Sequence, residues 1–323
     1  MLLSVRLMTY NHSAKITECL ESIEKQQTSF PFEVVIGDDF STDHNLELIR
    51  KFISSSKNEK ITYVLLDRKR GDDYDVVRQE KGRLYNFVNI IDNCQGKYIA
   101  LLDGDDYWID PLKLQKQVDV LEQNEQVSLV YTNAEINSEN GGDYADSPTF
   151  YEKEYPTTTI QKQAFYLKNN YRLLVVTVMF RKKDFDTQVK ETMLEFATGD
   201  FALYFMLSGK GDFYYINECS SVYFDHGLGE SKKFSKLKRD RFNYSKMNLL
   251  TSYIKPENKQ LFNQYQHRYL IRSVFNIMFR KVKKDGLEGI KFSQLFFVKP
   301  QQIKARYFYY YLKLVLLKII YTK

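Results

Sequence analysis

The first hundred residues alternate short apolar runs with stretches of helical periodicity, and that alternation restricts the chain to sheets wound through crossover helices. Strand-like runs stand at Leu2–Met8, Phe32–Ile36, Ile61–Leu66 and Tyr98–Leu102. Between them Ile16, Cys19, Leu20 and Ile23 recur at helical spacing, as do Leu46, Ile49 and Ile53, and then Leu84, Phe87, Val88 and Ile91. Each set makes one buried stripe. Polar residues follow the strands directly: Thr9-Tyr10-Asn11-His12 after the first, Asp38-Asp39 after the second, and Asp103-Gly104-Asp105-Asp106 after the fourth. Open parallel sheets bind ligands at those strand ends.

Further along, Asp110-Pro111 reads as a helix start, with Asp110 as N-cap and Leu114, Val118 and Leu121 on one stripe. Residues 141–159 are polar and turn-rich and are expected to form a mobile loop. A strand is expected over Leu174–Phe180, a helix with Leu203, Met206 and Leu207 on one face after Asp200, and short strands at Phe213–Ile216 and Ser221–Phe224. After Ser231 helical periodicity dominates and the charge changes sign. Residues 232–323 carry 22 Lys and Arg against 4 Asp and Glu, whereas residues 1–231 carry 25 against 37. The expected organisation is therefore an α/β domain over 1–231 and a basic, mainly helical region over 232–323.

Several classes are excluded. Hydrophobic residues make up 43% of the chain, too many for a disordered protein. Cys19, Cys94 and Cys219 are odd in number and widely spaced, which argues against a disulfide framework or a zinc site and for a reducing compartment. The opening residues lack a secretory signal, and no run reaches the ~20 apolar residues that span a bilayer. A cytoplasmic protein, peripheral on the inner face of the membrane, is expected. Residues 306–321 mix basic, bulky apolar and tyrosine side chains as an interfacial helix does, and as a helix packed on the body with solvated lysines also does.

Asp103, Asp105 and Asp106 lie within four positions, where mutual repulsion calls for a cation or hydrogen-bond donors. Mg²⁺ or Mn²⁺ suits oxygen ligands and is commonly shared between one or two carboxylates and substrate phosphates. A solvated acidic turn is the competing reading. A carboxylate of Asp38-Asp39 can accept from the imide N–H of uracil or the N1–H of guanine, or else serve the turn before Ser41-Thr42-Asp43. Thr9, Tyr10 and Asn11 can cradle a base. Asp200 stands where an N-cap is ordinary, and His226 lies in a glycine-flanked loop.

Together these segments resemble the inverting glycosyltransferases of family 2, over residues 3 to about 231. Ser4 to His12 resembles the family's opening strand and nucleotide loop, Ile36 to Asp43 its base-binding turn, and Gly96 to Trp108 its DXD segment. Gly199-Asp200-Phe201 is similar to the catalytic-base segment, and Val222 to His226 to a later tyrosine-arginine-x-histidine segment in which Phe224 replaces the arginine. Phe40 replaces the commoner glycine after the aspartate pair. The resemblance implies an α/β GT-A fold, Rossmann-like with a mostly parallel central sheet flanked by helices, plus a C-terminal helical appendage.

It also implies roles. Asp200 is the expected catalytic base. Thr9, Tyr10, Asn11, Asp39, Asp103 and Gly104 would contact the nucleotide. Asp103, Asp105 and His226 would hold Mn²⁺ or Mg²⁺, and Asp38 and Asp106 would be supporting residues of the site. The expected donor is a nucleoside diphosphate sugar, foremost a UDP-sugar, and the acceptor a glycan or lipid-linked hydroxyl in bacterial surface polysaccharide synthesis. An anionic membrane surface is an expected partner of the basic region, and nucleic acid is not. A nucleotidyltransferase making sugar nucleotides would need a glycine-rich phosphate loop after the first strand, and none is present. A non-catalytic membrane or nucleic-acid adaptor leaves the acidic clusters unexplained.

Overall fold

A computed structural model describes residues 1–138, 160–169, 173–225, 242–266 and 269. Nine strands form one sheet among them, in the order β3-β2-β1-β4-β8-β6-β9-β5, with β7 also paired to β9. The strands are β1 (Leu3–Thr9), β2 (Phe32–Asp38), β3 (Ile61–Leu65), β4 (Tyr98–Asp103), β5 (Tyr107–Trp108), β6 (Val127–Ser138), β7 (Ile160–Gln161), β8 (Val178–Arg181) and β9 (Asp212–Asp225). The helices are α1 (Ile16–Glu24), α2 (Asn45–Ser55), α3 (Asp73–Lys81), α4 (Leu84–Asn93), α5 (Lys113–Gln123), α6 (Gln163–Asn169), α7 (Thr187–Leu194) and α8 (Gly199–Lys210).

β3, β2, β1 and β4 run parallel, as strands joined by crossover helices must. β8 then pairs antiparallel with both β4 and β6, and β9 runs parallel to β6. One face of β1 presents Leu3, Val5 and Leu7, all fully buried with Ile16, Leu20 and Ile23 of α1 and Leu114 and Val118 of α5. Burying side chains of this size contributes about 2 kcal/mol each. The other face carries Ser4 and Arg6 toward α4, an arrangement that Gly96 makes possible: a Cβ there would meet the Ser4 nitrogen at 2.4 Å.

The four parallel strands and the helices α1, α2 and α4 stand where the periodicity predicts them. Other expectations shift. α5 begins at Lys113 rather than Pro111, because Asp110 Oδ1 accepts from the Leu112 amide and closes a turn ahead of the helix. The strand expected over Leu174–Phe180 opens as a 3-10 turn at Val175–Thr177 and becomes extended only at β8. The two short strands expected near 213 and 221 are one long strand, β9, whose register to β6 shifts at irregularities. The expected loop at 141–159 lies outside the described residues.

The chain divides into two compact units, Met1–Tyr265 and Gln266–Lys323. Phe205 of α8 is edge-packed against both Phe262 and Tyr265 at 5.4 and 5.3 Å between ring centroids. Gly209 of α8 lies against the Tyr253 backbone, where a Cβ would stand 2.1 Å from the carbonyl oxygen. No described helix is long and apolar enough to cross a membrane.

Candidate active site

Three strands deliver the acidic residues to one edge. Thr9 of β1 is in register with Asp38 of β2, and Met8 with Asp103 of β4. Adjacent strands lie about 4.8 Å apart, so the aspartate pair and the acidic run flank the end of β1 within roughly 10 Å.

Asp38 is committed to the turn. Its Oδ1 accepts from the Ser41 amide at 2.8 Å, and its Oδ2 from the Ser41 hydroxyl at 2.5 Å and the Asn45 amide group at 2.8 Å. The same Asn45 donates to Thr9 Oγ1 at 3.0 Å. Asn11, in the left-handed region at φ 54°, takes the Thr42 amide on its Oδ1 at 2.7 Å while its own amide donates to Ser41. The side chains of Asn11 and Asp38 therefore tie the first two strand ends together, and Asp43, accepting from the Ser13 and Asn45 amides, does the same. Tyr10 is exposed.

Asp39 points elsewhere. Arg78 of α3 grips both of its oxygens, Nε at 3.0 Å from each and Nη2 at 2.7 Å from Oδ2, and the Tyr74 hydroxyl donates to Oδ1 at 2.8 Å. Tyr74 stacks on Tyr85 and lies beneath the Arg68 guanidinium at 3.7 Å. Phe40, at φ 63°, packs against Tyr74 and under Arg70. A bulky residue in this backbone region is strained, and the two ring contacts hold it there. Arg78 and Tyr74 were missed in the sequence because α3 has little apolar periodicity. Asp72, whose side chain caps the helix on the Asp75 amide, and Gly82 at its far end (φ 80°) were the available signals.

In the acidic run each carboxylate meets a different environment. Asp103 Oδ1 accepts from Arg6 Nη1 at 2.7 Å; burial raises its pKa, Arg6 opposes that rise and Asp105 adds to it. Gly104 fits closely under Thr9, since a Cβ would come within 2.6 Å of Thr9 Oγ1. Asp105 faces His12, Oδ2 to Nε2 at 3.6 Å. Asp106 is buried and accepts the Phe224 amide at 2.8 Å; burial, then the Asp105 charge, push its pKa well above the ordinary carboxylate range.

Asp200 is the second residue of α8 and makes no cap, because Thr198 occupies that position. The turn before it is held by Asn243, which accepts from the Ala197 amide at 3.0 Å and donates to Thr198 Oγ1 at 2.9 Å. Tyr204, one turn further along α8, is buried close enough to Asp200, Arg6 and Asp103 for all three to act on its phenol, which burial first and Asp200 next hold well above its usual range. His226 lies outside the described residues.

No group of three His, Cys, Asp or Glu side chains is assembled for a metal among the described residues. Asp103 and Asp105 supply hard oxygen donors at a strand end, while Asp106 is turned inward, and Mg²⁺ or Mn²⁺ sites typically take only one or two carboxylates alongside phosphates.

The family described as Glycosyl transferase family 2 matches residues 4–204. An uncharacterized protein of Mycobacterium tuberculosis is 33% identical over 147 residues, which is 45% of this chain and 39% of that protein. The chain therefore spans about two fifths of that curated relative. Among solved structures, Staphylococcus aureus TarS 1–349 in complex with UDP superimposes with a TM-score of 0.58 at 17% identity, covering 88% of this chain and 76% of that one. The Pyrobaculum calidifontis mannosyltransferase PcManGT, in complex with GDP-Man and Mn²⁺, superimposes at 0.51 and 14% identity, covering 99% and 87%. These likenesses agree with the GT-A architecture expected from the motifs. With two strand-end motifs and the DXD run inside the matched segment, the chain belongs to glycosyltransferase family 2.

Proposed function

We propose that this glycosyltransferase moves a sugar from a UDP-sugar to a hydroxyl of a glycan or lipid-linked acceptor, with inversion at the anomeric carbon. The observation that carries the reading is the delivery of the Asp38-Asp39 turn and of the Asp103 to Asp106 run to one edge of the parallel sheet by strand ends in register.

Asp39, kept in place by Arg78 and Tyr74, accepts the N–H of the base. That acceptor suits uracil and guanine and rejects cytosine and adenine, which offer a lone pair at the corresponding ring nitrogen. Asp103 and Asp105 would hold Mn²⁺ or Mg²⁺, which would supply charge to offset that gained by a departing diphosphate. Asp200 takes the proton of the acceptor hydroxyl, whose oxygen bonds to the anomeric carbon on the face opposite the leaving group, so the C–O bond to the diphosphate breaks with inversion. TarS is named a poly(ribitol-phosphate) β-N-acetylglucosaminyltransferase, and it is 34% identical to this chain over 107 residues, 16% of TarS. That relative supports a polymeric, hydroxyl-rich acceptor at the bacterial surface.

Thermal unfolding in the presence of UDP-, GDP- and other nucleotide sugars, with Mn²⁺ or with EDTA, tests the reading. Metal-dependent stabilisation by UDP-sugars, lost in Asp39→Ala, is expected. A folded protein that responds to no nucleotide overturns it.

A further inference from the structure

Arg6 has no role in the family motifs and stands where a central strand ordinarily carries an apolar residue. Its neighbours across the sheet are Val35 and Leu101. The side chain is wholly buried, with its guanidinium carbon 4.3 Å from the centre of the Phe87 ring. Asp103 is its one ion pair among the described residues, at 2.7 Å, and Nε and Nη2 find no hydrogen-bond partner there. A buried guanidinium with one carboxylate partner holds that carboxylate firmly, because releasing it would leave an unpaired charge in the interior.

The same carboxylate is the first of the two assigned to the cation. Its Oδ1 is already taken, and the positive charge behind it is fixed by the strand. Asp105 faces His12 and Asp106 is spent on the Phe224 amide, so every carboxylate of the run is engaged by the protein itself. A divalent ion arriving alone meets a site whose charge is partly offset and whose nearest cation repels it. A diphosphate brings the negative charge and the oxygen ligands that the protein lacks.

We propose that Arg6 competes with the divalent cation for Asp103, so that the site takes up metal together with a nucleoside diphosphate and not before it. Arg6 acts as a positioning residue: it occupies Asp103 Oδ1, and its charge opposes an ion that approaches the remaining oxygen. The proposal rests on the reading of Asp103 and Asp105 as the metal site.

Mn²⁺ binding followed by electron paramagnetic resonance at pH 8, without nucleotide and then with UDP or GDP, tests it with no turnover required. Wild-type protein is expected to bind Mn²⁺ at least about tenfold more weakly without nucleotide than with it. Arg6→Met should tighten nucleotide-free binding by about tenfold, whereas Arg6→Lys, which keeps the charge, should stay near wild type. A merely structural arginine would lower the melting temperature in both variants and leave the Mn²⁺ affinity where it was. Folded Arg6→Met with unchanged or weaker Mn²⁺ binding overturns the proposal. Should that variant not fold, the wild-type comparison decides, and equal affinities with and without nucleotide overturn it. Mn²⁺ uptake that Asp105→Ala abolishes, with Arg6→Met unchanged, removes the role of Arg6 alone. No uptake by wild type even with UDP and GDP removes the metal-site reading and Arg6 with it.

Discussion

Asp106 and Phe224 are 118 residues apart in sequence, yet the Phe224 amide donates to Asp106 Oδ1 at 2.8 Å in a closed interior. The third carboxylate of the acidic run is thereby a fastener between the end of β4 and the end of β9. Asp106→Ala leaves a buried N–H unsatisfied and should cost about 1–3 kcal/mol, while Asp106→Asn keeps an acceptor oxygen and should cost much less. Denaturant unfolding of both variants compares them, and equal losses would show that the acceptor is not what matters.

Asp103 and Asp105 should separate in stability although both serve the same site. Asp103→Ala strands the Arg6 guanidinium in the interior and is expected to cost roughly 3 kcal/mol. Asp105→Ala removes a partly exposed carboxylate from a repelling cluster and should stay within about 0.5 kcal/mol of wild type. Urea midpoints measured without metal or nucleotide would reveal the difference, and similar midpoints would contradict it.

Asp200→Asn keeps the size of the side chain, and Asp200 makes no cap bond whose loss would loosen α8. Donor binding should persist while transfer falls by about 10²–10⁴. Calorimetric titration with UDP-sugar alongside a transfer assay tests this, and transfer at the wild-type rate would remove Asp200 from the chemistry.

Lys113 supplies a pH signature. Its ammonium is buried against Gln117 Oε1 at 2.6 Å and near the Trp108 ring, and burial, opposed weakly by Asp110, brings its pKa down to about 7. Below pH 7 folded and unfolded chains both carry the proton, and the folded state bears the full cost of the buried charge. Between about 7 and 10 only the unfolded chain keeps it, so stability rises with pH by roughly 1 kcal/mol per unit. Lys113→Met should flatten that rise in melting temperature between pH 7 and 9, and an unchanged slope would exclude Lys113 as its source.

The parallel half of the sheet was legible because β1 to β4 are short, largely apolar runs and the helices between them repeat cleanly, as at Ile16, Cys19, Leu20 and Ile23. The mixed half was less so. β6 begins Val-Ser-Leu-Val-Tyr-Thr and was not anticipated at all, and the register shifts of β9 split its pattern into two apparent strands. The acidic residues after the second and fourth strands were legible as strand-end clusters, but the partner each carboxylate takes was not. Sequence spacing does not tell that Asp38 is consumed by Ser41 and Asn45, or that Asp39 is met by a helix whose apolar content is too low to announce it. Arg6 shows the same limit, since a charged residue inside a strand declares its partner only once the next strand is laid beside it.

Asn243 lies well beyond the segment matched by the family, and still it is what pins the turn ahead of Asp200. Together with the Tyr253 backbone seated on Gly209, it makes α8 a shared possession of the catalytic body and the residues that follow. Chimeras that exchange the C-terminal part of this enzyme should therefore be cut after Tyr265: a junction at 231 would swap the brace of the proposed base along with whatever else the exchanged segment carries.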